Sequence, residues 1–179
     1  MRVLISLSVL LLAACAAGSG GTGVQQETVR VVDAGGGVQM RTFHTAGWVT
    51  QDVAAPLDAV WSALPAVHDS LGIPVTARDE SSRTIGNDGL NVRRRLGRVG
   101  LQRYLDCGST QGGPNAETYE VHLSVRTQVL PAATGSSRVS STVQAQARPV
   151  NFAGDWIRCT SKNTLEKAIA ELAARLATR

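Results

Sequence analysis

From Tyr119 to Val129 the chain alternates with a period of two. Tyr119, Val121, Leu123, Val125, Thr127 and Val129 are interleaved with Glu120, His122, Ser124, Arg126 and Gln128. A helix would scatter these side chains around its axis, whereas a strand sends one set to each face. One packed face and one wet face imply an antiparallel sheet covered on a single side. Arg138 to Ala147 repeats the pattern, with Val139, Ser141, Val143, Ala145 and Ala147 on the inner face. The turn residues P-A-A-T-G-S-S between the two runs predict a long hairpin.

Two other stretches carry the helical period. Leu57, Val60, Trp61, Leu64, Val67, His68 and Leu71 recur at three-to-four spacing after Pro56, with Gly72 as the expected stop and Pro74 beyond it. Pro65 falls in the middle and predicts a kink or a division into two short helices. Near the C-terminus, Leu165, Ala168, Ile169, Leu172, Ala173 and Leu176 form a second stripe. Asn163 with Glu166 reads as a capping box there, with Thr160 or Ser161 as alternative caps.

Shorter extended runs complete the reading: Thr28 to Val32, Val38 to Thr45, Ile73 to Asp79, a run from Leu90 to Leu96, and Leu101 to Leu105. In the fourth, strict alternation places Leu90, Val92, Arg94 and Leu96 on one face and Asn91, Arg93 and Arg95 on the other. The predicted fold is α+β: a two-layer, mostly antiparallel sheet covered on one face by two helices, in β-α-β-β-β-β-α order.

The first residues give an address. Arg2 precedes an apolar run from Val3 to Ala14 that is shorter than the ~20 residues of a membrane span, so it reads as a secretory leader. Leu12-Ala13-Ala14-Cys15 resembles the lipobox of bacterial lipoproteins. The resemblance implies cleavage before Cys15 and acylation of its thiol, with anchoring by buried methylenes at roughly 0.8 kcal/mol each. An ordinary leader cut after a small residue near Ala17 is the alternative. Ala16 follows the cysteine, where an aspartate would resemble an inner-membrane retention signal. This favours the periplasmic face of the outer membrane, if the cell is Gram-negative. The expected division is a signal peptide over 1–14, a Gly/Ser tether over 15–26 and a single domain over 27–179.

The remaining body, ~150 residues, can build a core without needing a disulfide to exist. It nevertheless keeps two cysteines, Cys107 and Cys159, which in an oxidising envelope read as a structural bridge. A redox or metal pair is the alternative, but C-x-x-C is absent and two thiolates fill half of a tetrahedral zinc site. The formal net charge is +4, and +3 without Arg2. The secreted address and scarce aromatics argue against a nucleic-acid partner.

The run from Pro56 through Ile85 resembles the opening of domains in BamC-type outer-membrane lipoproteins, on Trp61, Leu71, Gly72, Val75 and Asp79. The resemblance implies a helix-grip-like domain in an accessory of outer-membrane barrel assembly. It carries no catalytic motif, and this chain has room for one such domain where BamC has two. The segment is also similar to START-like domains, which implies a small apolar ligand or lipid carrier as the alternative function.

His44, His68 and His122 lack metal-ligand spacing, and no G-x-S-x-G elbow or phosphate-cradling glycine loop is present. Neither a metal nor a cofactor is expected. Asp155 with Trp156 reads as a polar and aromatic pair in a loop pinned over the sheet. The best candidate surface is basic: Arg93 and Arg95 facing solvent, with Arg98 and Arg103 nearby. It suits lipid phosphates, an acidic polymer or an acidic envelope protein. The bland alternative is a solvated face whose central Arg94 pairs with Asp79, Glu80 or Asp106. Together these features predict a lipid-anchored, non-enzymatic envelope protein with a structural, assembly or protein-binding role.

Overall fold

In a computed structural model of the chain, the described residues are 26–32, 38–44, 47–151 and 153–179, with side chains described from residue 47 onward. The leader, Cys15, the tether through residue 25 and the glycine loop 33–37 lie outside the described residues, as does the side chain of His44.

Strands β1 (Gln26–Val32) and β2 (Val38–His44) form an antiparallel hairpin with Gln26 opposite His44. β3 (Val49–Val53) and α1 (Leu57–Ser70) follow, then β4 (Ala77–Asp79) and β5 (Thr84–Arg93). A compact connection contains β6 (Arg95–Leu96), β7 (Val99–Gly100), a 3-10 turn over Leu101–Arg103 and β8 (Leu105–Asp106). β9 (Ser109–Thr110), β10 (Gly113–Pro114) and the single-turn α2 (Asn115–Thr118) lead into the long strands. Those are β11 (Glu120–Pro131) and β12 (Ser137–Arg148), followed by β13 (Ile157–Ser161) and α3 (Thr164–Ala177).

The result is a mixed α+β fold whose main sheet runs β7-β6-β5-β11-β12-β13-β8, with β4 also on β5 and β3 also on β12. Every described pairing is antiparallel. The predicted hairpin is present in unbroken register from Glu120 opposite Arg148 to Pro131 opposite Ser137. Its inner residues Val121, Leu123, Val125, Val139 and Val143 share one core with Val60, Leu64 and Val67 of α1 and Leu165, Ile169 and Ala173 of α3. The other face carries the polar set, with no long helix upon it among the described residues.

The outer edge of β12 is divided between two strands. β3 pairs with Ser137 to Ser141, and β13 pairs with Ala145 to Ala147. Between them, Thr142 to Gln144 pair with no strand on that side among the described residues.

Several local expectations need correction. α1 is one helix through Pro65 rather than two short ones; the stripe buried on both sides of the proline holds it together despite the missing backbone donor. The expected strand from Ile73 shrinks to Ala77–Asp79, because Ile73 closes the helix instead. Its N–H bonds His68 O at 2.9 Å while Gly72 N–H bonds Asp69 O at 2.9 Å, the paired bonds of a Schellman stop. At α3 the Asn163–Glu166 box does not form, and among the described residues no side chain caps the first turn. Ser161 Oγ accepts from Asn163 N–H at 3.0 Å and donates to Glu166 Oε1 at 2.6 Å, while Asn163 itself is left-handed at φ 60°.

The disulfide Cys107–Cys159 is formed. It lies beside the β13–β8 ladder, where Thr160 faces Asp106, and so fastens the strand preceding α3 to the end of β8. By loop-closure entropy, its 52-residue separation contributes about 4 kcal/mol.

Candidate functional site

The basic corner forms where β5 stops. Arg94 adopts a left-handed conformation at φ 63°, which costs a side-chain-bearing residue roughly 1 kcal/mol or more. The chain folds back there, so that Arg93 faces Arg95 across the β5–β6 pair. β6 and β7 then make a tight hairpin, with Arg95 opposite Gly100 and Leu96 opposite Val99, so that Arg98 sits at its tip. Leu101 N–H bonds Arg94 O at 2.8 Å and closes the corner. Buried Leu96 and Leu101 anchor it to the core.

Glycines set the position of this corner against α1. Gly97 is left-handed at φ 55°, and a Cβ on Gly72, at φ 76°, would stand 2.6 Å from Gly97 N. A side chain at either position would push the arginine hairpin off the helix end. The Leu71-Gly72 pair that ends α1 therefore also seats the corner.

Arg94, Arg95, Arg98 and Arg103 line one open groove of about 530 Å³, beside Glu117. All four are exposed, and none has a carboxylate within ion-pair distance among the described residues. The carboxylates proposed as partners for Arg94 are engaged elsewhere. Asp79 accepts from Ser81 and Ser82, and the hydroxyl of Ser81, followed by that of Ser82, holds its carboxyl at about 2. Glu80 accepts from Arg78 Nε at 2.6 Å and from Trp61 Nε1 at 2.7 Å. Asp106 accepts from Gly108 N–H at 2.8 Å.

The expected patch is thus partly reassigned. Arg95, Arg98 and Arg103 share the groove with Arg94, and Arg93 is not among its lining residues. Arg93 stays on the helix-free face opposite Glu120. Strict alternation failed because the left-handed residue rotates everything after it.

The histidines separate by burial. His68 is fully buried, with Nδ1 3.0 Å from Leu64 O and Nε2 3.4 Å from Thr127 Oγ1, which in turn meets Ser141 Oγ at 3.0 Å. Desolvation lowers its pKa, partly opposed by the Leu64 bond. His122 is exposed on the helix-free face and lines a groove with Asp88 and Ser124, the convergence a hydrolase would require. The hydrogen bonds run otherwise: His122 Nδ1 meets Asn91 Oδ1 at 2.9 Å, and Ser124 Oγ donates to Asp88 at 3.1 Å. Asp88 is clamped by Arg126 through two bonds of 2.7 Å. Among the described residues no histidine contacts the serine, and the carboxylate that does is already held by Arg126.

Among the described residues, no cluster of three or more His, Cys, Asp or Glu could hold a metal ion, and no helix is long and apolar enough to cross a membrane. The layer that a carrier would need open, between Trp61's helix and the sheet, is occupied by Leu64, Val67, Val125 and Ile169. No protein-family model, curated protein or solved structure matches the chain.

Proposed function

We propose that the chain is a lipid-anchored envelope protein, tethered through Cys15, whose domain is a non-enzymatic binding module for anionic groups presented at the membrane. The observation that carries the binding role is the set of four exposed arginines in one groove without a carboxylate on any of them. Guanidinium groups held this way match phosphate oxygens in a planar, two-pronged fashion. A Gly/Ser spacer of about ten residues has a root-mean-square reach of roughly 18 Å, which keeps the corner working near the surface that holds the lipid. The Leu12-Cys15 motif supports the anchor, and the helix-grip-like reading of the body supports an accessory rather than a catalyst.

The test is co-sedimentation of the protein from residue 15 onward, carrying Cys15→Ser so that no acyl chain inserts, with vesicles containing anionic phospholipid, beside the variant that adds Arg95→Ala/Arg98→Ala/Arg103→Ala. The former is expected to pellet in a salt-dependent manner, and the variant to lose at least tenfold in affinity. Equal binding by both removes the corner from the proposal. Mass spectrometry of the protein from membranes addresses the anchor separately. A diacylglyceryl adduct on Cys15 is expected, and an unmodified thiol overturns the tethered reading.

A further inference from the structure

A second groove, of about 700 Å³, lies on the helix-free face beside the divided edge of β12. We propose that it binds an uncharged oligosaccharide, laid along β12 between Trp48 and Trp156. The inference does not depend on the arginine corner.

The two indoles are the first support. Trp48 and Trp156 are each 42% exposed, the highest among the large apolar side chains described as exposed. Each stands one residue before a strand that pairs with β12, Trp48 before β3 and Trp156 before β13. Extending the registers Val49–Ser141 and Ile157–Ala147 places Trp48 level with Thr142 and Trp156 level with Arg148. Six residues at about 3.3 Å separate these levels by roughly 20 Å, the reach of a short oligosaccharide rather than a single ring. Trp48 lines the groove, and Trp156 lies edge-on to the groove residue His122 at 6.2 Å between centroids. Arg148 covers one face of Trp156 at 4.8 Å and fixes the ring. A pyranose presents a flat array of C–H groups, and an exposed indole is the side chain that removes the most such surface from water.

Charge is the second support. Three of the open-face arginines are already paired: Arg126 with Asp88 at 2.7 Å, Arg138 with Asp52 at 3.0 Å and Arg148 with Glu120 at 3.0 Å. An anion entering this groove would meet Arg126 with Asp88 already on it and a single unpaired guanidinium, whereas the corner presents four. Of the guanidinium groups lining this groove, Arg158 is the one without a carboxylate among the described residues, and it can donate to a ring or hydroxyl oxygen.

The groups between the indoles are the third support. Gln144 and Gln146 line the groove with amides that both donate and accept, as sugar hydroxyls do. Thr142, at the gap between β3 and β13, is 8% exposed and lines the same groove. Its Oγ1 has no hydrogen-bond partner among the described residues, although buried hydroxyls ordinarily have one.

The test is tryptophan fluorescence of the full mature protein titrated with neutral hexasaccharides of β-1,4-N-acetylglucosamine, α-1,4-glucose and β-1,3-glucose. At least one is expected to give a saturable change, with a disaccharide of the same linkage binding about tenfold or more weakly. Trp48→Ala and Trp156→Ala should each weaken binding by a similar factor, with the fold checked by circular dichroism. Trp48→Phe should retain part of the affinity. Buried Trp61 should contribute an unchanged background, and the triple arginine variant should bind sugar normally. The proposal is overturned by no saturable change with any hexamer, by equal binding of dimer and hexamer, by undiminished binding in a folded Trp48→Ala protein, or by binding confined to acidic saccharides. Loss of sugar binding alongside intact vesicle binding would sink this inference and leave the anionic corner standing.

Discussion

Arg126, Arg138 and Arg148 on the open face and Arg94, Arg95, Arg98 and Arg103 at the corner carry the same charge in opposite circumstances. Each of the first three meets an acidic residue on a neighbouring strand, because antiparallel register sets Arg148 opposite Glu120 and Arg138 opposite Asp52. The corner arginines sit on strands of two residues and on turns, where no long neighbour supplies a partner. Long strands match charges pairwise as they align. A tight reversal concentrates whatever the local sequence holds, here R-R-R-L-G-R. The first arrangement yields a polar surface near neutrality, the second a locally cationic one.

The strongest way to disturb both regions together is to remove the bridge between them. Tyr104 O accepts from Lys162 N–H at 2.8 Å, so the end of the corner and the start of α3 are joined just beside Cys107–Cys159. Cys107→Ser/Cys159→Ser is expected to cost about 4 kcal/mol in denaturant titration. Disturbing the corner alone calls for Gly72→Ala. The left-handed φ and the approach to Gly97 together predict a loss of about 2 kcal/mol, with vesicle binding weakened although every arginine remains. Sugar binding at the open face should survive in that variant.

A titration separates the core from both surfaces. His68 has a folded-state pKa below its unfolded value because burial disfavours the imidazolium. The unfolded state therefore takes up protons first as pH falls, and stability that is complete above about 6.5 declines below it. Denaturation midpoints measured from pH 8 to 5 should show this slope, and His68→Gln should flatten it. If the slope persists in the variant, its origin lies elsewhere.

The smallest effects sharpen the contrast most. Arg126→Gln breaks a half-exposed pair and should cost at most about 1 kcal/mol. Arg98→Ala breaks none and should change stability by less than about 0.5 kcal/mol while reducing vesicle binding. A large stability loss from Arg98→Ala would show that the corner is structural and that the two groups of arginines do not differ in kind.

Much of this was legible where one period persists. Tyr119 to Val129 and Arg138 to Ala147 announce a hairpin because every alternate residue is apolar, and the pairing then has one register that buries them. The two stripes after Pro56 and before Ala177 read as helices for the same reason, and the two cysteines of the body were read as a bridge on the expectation of an oxidising compartment. The corner was hidden because R-R-R-L contains no glycine, asparagine or proline at the point of reversal. A strand can be written straight through Arg94. The bulge in β5 was also hidden: Leu123 pairs with Leu90 but Val125 pairs with Asn87, and the extra residue delivers Asp88 to Arg126. Trp48 gave no signal, since V-T-Q-D-V does not reveal which strand it will border. Asp155-Trp156 was visible as a polar and aromatic pair, but its neighbours Arg148 and His122 come from strands distant in sequence.

The place of β3 sets a timetable. Val53 lies opposite Ser137, so a chain emerging N-terminus first holds its early strand and the apolar side of α1 without a seat until the hairpin arrives. Contacts spanning such distances close slowly, and a strand edge kept waiting is the kind of surface on which neighbouring copies of a chain stick together. An arrest before residue 137 therefore strands the oldest part of the molecule, and slow delivery of its last third is the step most exposed to aggregation.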